Sequence, residues 1–122
     1  MKSRTISPIT FVLGILAIGT SAFGHAFLDR SEPHVGSTIG KAPTSVAIWY
    51  TQQPEPAFSR IEVYNSDGKQ VDNKDTHADD KDPRELLVSL PDLPAGTYKV
   101  VWHVLSVDTH KTQGDFKFTI QP

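Results

Sequence analysis

The sequence predicts an all-β fold, a small antiparallel β-sandwich or barrel. Three observations lead there. Runs of β-branched and aromatic residues alternate with polar ones at a period of two. Pro43, Pro54, Pro56, Pro91, Pro94 and Gly96 punctuate the chain between those runs. No window carries a convincing helical period.

The elements follow in order. Residues 1–24 read as a secretory signal peptide. Lys2 and Arg4 make a basic start, residues 11–19 form an uncharged apolar run, and Ala22 and Gly24 are the small residues of a cleavage site. A membrane anchor is the rival reading. The run is shorter than the roughly 20 residues a spanning helix needs, and Gly14, Gly19, Thr20 and Ser21 weaken it further. Cleavage after Gly24 leaves residues 25–122 as one domain. Residues 45–51 are β-branched and aromatic enough for a strand. Residues 60–65 alternate, with Ile61 and Val63 on one face. Ser66-Asp67-Gly68-Lys69 is a hairpin turn, with residues 69–72 as the return strand. Residues 72–83 read as a polar, solvated loop. Leu86, Val88 and Leu90 share a face of the next strand. Tyr98, Val100, Trp102 and Val104 mark one face of the longest strand, and Phe116, Phe118 and Ile120 close the domain. Trp49, Tyr98, Trp102 and Phe116 are expected in the core.

Composition narrows the function. The chain carries a net charge of −2, and −4 once Lys2 and Arg4 leave. A mildly acidic domain does not suit nucleic acid, which calls for clustered Lys and Arg. There is no cysteine, so thiol redox chemistry and thiolate metal sites are excluded. Met1 is the only methionine. A processed chain therefore offers a metal only nitrogen and oxygen, which argues against a dedicated Cu(I) site.

Those donors have an obvious grouping. As the mature N-terminus, His25 presents two nitrogens from one residue, the α-amine and the imidazole. In Asp108-Thr109-His110, residues i and i+2 of an extended backbone point to one side, so carboxylate and imidazole can converge. Together these groups form the tetragonal N/O set that Cu(II) favours, and zinc could use the same atoms. His103 falls on the strand face opposite Trp102. His34 and His77 lie in turn-like segments and read as solvated loop histidines.

The stretch Leu93-Pro94-Ala95-Gly96-Thr97-Tyr98, continued by Ser106-Val107-Asp108-Thr109-His110, resembles the signature of the CopC family of periplasmic copper-binding proteins. His25-Ala26-Phe27-Leu28, followed by Ser31, Pro33 and Gly36, resembles that family's mature start. The resemblance implies a Greek-key, Ig-like β-sandwich or barrel. It implies a monomeric periplasmic Cu(II)-binding protein for copper sequestration or handover, and no enzyme. The implied metal ligands are His25, Asp108 and His110, and the implied partner is a CopD-like membrane copper transporter. Some relatives carry a methionine-rich Cu(I) loop; the matching residues 72–83 have none. Gln52 stands where many relatives have glutamate, and Lys111 where many have proline.

Two other readings make different demands. An N-terminal histidine chelating copper also resembles the centre of the lytic polysaccharide monooxygenases, but a carboxylate on the metal stabilises Cu(II) and takes a position oxygen would need. A metal-free interaction domain would make no use of His110.

Overall fold

The computed structural model describes residues 27–122. The signal segment at residues 1–24 and His25 lie outside the described residues. Eight strands form two sheets: β1 Leu28–Glu32, β2 Thr38–Ile39, β3 Ser45–Tyr50, β4 Arg60–Tyr64, β5 His77–Asp79, β6 Asp82–Ser89, β7 Gly96–Leu105 and β8 Lys111–Ile120. One sheet runs β1-β3-β6-β5 and the other β2-β8-β7-β4. The expected all-β sandwich is thus what forms.

Alternation decides the core. Val46, Ile48 and Tyr50 of β3, with Leu86 and Val88 of β6, face Ile61 and Val63 of β4, Val100 and Trp102 of β7, and Phe116 and Phe118 of β8. Every one of these side chains is almost fully buried, and such burial is the main favourable term in a domain this small. The Tyr98 hydroxyl donates to the Pro94 carbonyl at 2.6 Å and ties the entry of β7 to its own strand face. Gly114 is required by packing. A Cβ there would lie 2.6 Å from the Trp102 ring.

Four expectations change. β2 pairs with β8 in parallel. It is a short edge contact stapled by Gly36 N–H to Lys117 O and Thr119 N–H to Ser37 O, so the path of the connection from the other sheet sets its direction. The return strand after Gly68 shrinks to one bridge, Tyr64 to Gln70, because the Asp72 carboxylate takes the Val63 N–H in place of a strand carbonyl. Part of the polar segment 72–83 is strand: β5 pairs with β6, and an edge strand tolerates charge because backbone bonds hold it. Trp49 is not core. Tyr50 and Ile48 take the inward positions, so Trp49 faces outward beneath the Arg30 guanidinium, 3.8 Å from the ring centroid.

Candidate metal centre

The longest hairpin positions the sequence-selected pair. β7 and β8 stay in register down to Leu105 and Lys111, and residues 106–110 make the turn between them. Ser106 is its fully buried anchor. Its N–H donates to the His110 carbonyl at 2.9 Å, and Thr109 N–H returns to the Ser106 carbonyl at 2.8 Å. These bonds hold Thr109 at φ +71°, left-handed backbone that a β-branched residue seldom adopts.

That turn brings Asp108 and His110 together. His110 Nδ1 stands 3.3 Å from Asp108 Oδ1, with the two side chains 55% and 43% exposed. Their convergence comes from the turn; the expected extended i, i+2 alternation is absent. The Ser106 hydroxyl donates to Asp108 Oδ1. This bond is the main reason the Asp108 carboxyl is held below the usual carboxylate range; desolvation opposes it, and the His110 ring and backbone N–H assist it. Ser106 was absent from the sequence-derived site. Its only signal was a small hydroxyl residue two positions before the aspartate.

The start of β1 lies close to this turn. Phe27 N–H donates to Thr51 Oγ1 at 3.0 Å, and Thr51 N–H to the Phe27 carbonyl at 2.8 Å. Two residues on, the Gln53 carbonyl accepts from Val107 N–H at 3.0 Å, and Glu55 N–H donates to the Leu105 carbonyl at 2.7 Å. Segment 51–55 thus straps the start of β1 to the turn that carries Asp108 and His110. Gln52 lies between the two strapped positions.

The remaining histidines are occupied elsewhere. His34 Nδ1 bonds the Ser31 carbonyl. His77 lies in β5, not in a loop, and bonds the Asp75 carbonyl. His103 Nε2 stands 3.6 Å from Glu62 Oε1 on the outer face of the sheet. Among the described residues, no group of three or more His, Cys, Asp or Glu could hold a metal ion. Asp108 and His110 are two convergent polar groups, fewer than a metal centre requires.

Comparison with known proteins follows the same lines. The family model described as CopC domain matches residues 28–121. The chain is similar to the protein YobA of Escherichia coli K12, 29% identical over 98% of this chain and 99% of YobA. It is 31% identical to the copper transport protein CutJ of Bacillus subtilis, over 92% of this chain but only 21% of CutJ. The crystal structure of CopC from Methylosinus trichosporium OB3b superposes with a TM-score of 0.76 at 34% identity, covering 80% of this chain and 95% of that one. PcoC, a methionine-rich copper resistance protein from Escherichia coli, superposes at 0.69 with 27% identity, covering 80% of this chain and all of PcoC.

Proposed function

The chain belongs to the CopC domain family, and from that premise we propose that it binds Cu(II) in the periplasm and sequesters it or passes it on. Copper is its cargo. The observation that carries the proposal is the turn that presents Asp108 and His110 side by side at the end of the sandwich where β1 begins.

His25 completes the set in this reading. It precedes the strapped residue Phe27 by two positions, and two residues of chain reach at most about 7 Å. Its α-amine and imidazole, the His110 imidazole and the Asp108 carboxylate make three nitrogens and one oxygen. That is a square donor set suited to Cu(II), which also heads the usual affinity order for divalent ions. PcoC is described as methionine-rich. Here Met1 is the only sulfur-bearing residue, which supports the divalent ion over Cu(I).

The partner in this reading is a CopD-like membrane copper transporter. CutJ, a copper transport protein, contains a stretch like this chain as about a fifth of its length. Among the described residues no helix is long and apolar enough to cross a membrane. Oxidative catalysis is the weaker reading, because a carboxylate in the donor set favours Cu(II) and fills a coordination position.

Cu(II) titration with EPR tests the proposal, using protein that starts at His25 and protein with one added residue before it. One tight equivalent with a nitrogen-rich tetragonal spectrum in the first, lost in the second, is the expected result. Equal binding by both removes the amine from the site. No binding by either overturns the copper reading.

A further inference from the structure

The surface around the turn has a feature that metal ligation does not call for. Four large apolar side chains are exposed among the described residues: Phe27, Val35, Phe58 and Val107. Three of them hang on one segment. Phe27 is bonded to Thr51, Val107 is bonded to Gln53, and Phe58 sits in the short 3-10 turn Pro56–Phe58 that follows. Phe58 is 69% exposed although it is aromatic.

Phe58 is also one wall of a groove of about 580 Å³ that ends at the metal turn. Leu105 and Lys111, the last paired residues before the turn, belong to its lining, together with Arg60, His103 and Gln113. The lining holds two cations and no carboxylate, against the negative charge of the chain as a whole. Glu62 bonds Arg60 Nε at 3.1 Å and partly offsets it. Lys111 has no ion pair among the described residues, and it directly follows the ligand His110.

We propose that this groove is where the copper-exchange partner docks, and that the partner presents an acidic protein segment with an apolar anchor. The inference rests on the copper-binding reading above. Charge favours the occupant: the lining has no carboxylate of its own, and Lys111, unpaired among the described residues, attracts acidic chains and disfavours basic ones. The exposed Phe58 offers the aromatic contact that such interfaces concentrate their binding energy on. The groove is continuous with the turn, so a segment lying in it would bring its own donor atoms to copper held at Asp108 and His110.

The test is copper transfer from two synthetic probes to the full processed chain. Both are Cu(II)-loaded peptides containing one histidine and one leucine; one carries four glutamates and the other four lysines. Transfer is followed by stopped-flow absorbance at low and high salt. The glutamate peptide is expected to deliver copper faster at low salt, by about tenfold, with the advantage fading at high salt. Phe58→Ser and Arg60→Glu are each expected to slow that transfer several-fold, while their equilibrium Cu(II) affinity stays that of the parent. Equal rates from the two peptides, a faster lysine peptide, or indifference to both substitutions overturns the docking proposal and leaves copper binding standing. Concentration-dependent dimerisation abolished by Phe58→Ser, or adsorption to vesicles of anionic phospholipid, also overturns it by giving the groove another occupant. Failure of the parent chain to bind Cu(II) at all strikes the underlying reading instead.

Discussion

Asp72 and Asp108 are two turn aspartates put to opposite uses. Each lies within two residues of a left-handed backbone position, Lys74 at φ +59° and Thr109 at φ +71°. Each takes hydrogen bonds from its own loop. Asp72 is 7% exposed, and its carboxylate accepts from Val63 N–H, Lys74 N–H and the Gln70 side chain. Those donors are fixed, and the carboxylate serves the fold by closing the open edge of β4. Asp108 is exposed. Its donors are one buried hydroxyl and the neighbouring His110, and the imidazole is itself a ligand in the proposed copper site. The difference shows that burial and the identity of the donors, more than the turn itself, separate a structural carboxylate from an available one.

The strongest way to break this contrast is to truncate each aspartate. Asp108→Ala and His110→Ala should each weaken Cu(II) binding by about 100-fold or more, beyond what loss of a merely supporting group costs. Each should leave the apo protein's melting temperature close to the parent's, since exposed substitutions stay within about 0.5 kcal/mol. Asp72→Ala should do the reverse. It orphans the Val63 N–H and should cost about 2 kcal/mol in urea unfolding while Cu(II) affinity is retained. If Asp72→Ala abolishes copper binding without unfolding the chain, the contrast is wrong.

Gly114→Ala probes the packing behind the turn. Its Cβ meets the Trp102 ring, so a loss of about 1–3 kcal/mol is expected, read by thermal melting, with tryptophan fluorescence reporting the displaced ring. Ser106→Ala sharpens the contrast at its origin. Removing the hydroxyl should lower Cu(II) affinity about tenfold and raise the Asp108 pKa toward its ordinary value, followed by NMR titration of the carboxyl carbon.

The smallest effect is the pH dependence of the apo fold. The Asp108 carboxyl is held below its unfolded value. Its contribution to stability is therefore fully present above the unfolded pKa of about 3.9 and is lost as pH falls through the lower folded value. Copper affinity should begin to fall at higher pH, where protons compete for an α-amine whose reference pKa is about 7.7. Affinity unchanged from pH 8 to 5 would remove the amine from the ligand set.

Much of the architecture was legible because strand periodicity is a local property. Ile61 and Val63, Leu86 and Val88, and Phe116 and Phe118 all face the core as their alternation implied. The misses share one cause. Trp49 has core chemistry but occupies the outward phase of β3, and phase depends on which neighbours claim the interior. The aspartate-rich segment became partly strand because β6 offered it backbone partners, which no side-chain composition announces.

The sequence by itself determined the β class, the inward faces of the central strands, the absence of sulfur ligands outside Met1, and the Asp108–His110 pair. Each follows from residue type and spacing along the chain. Only the tertiary structure decided that Ser106 is buried beneath that pair, that Thr109 turns left-handed to converge it, and that segment 51–55 straps the start of β1 beside it. Those outcomes depend on backbone groups distant in sequence finding one another, and hydrogen-bond partners of that kind are set by how the two sheets close.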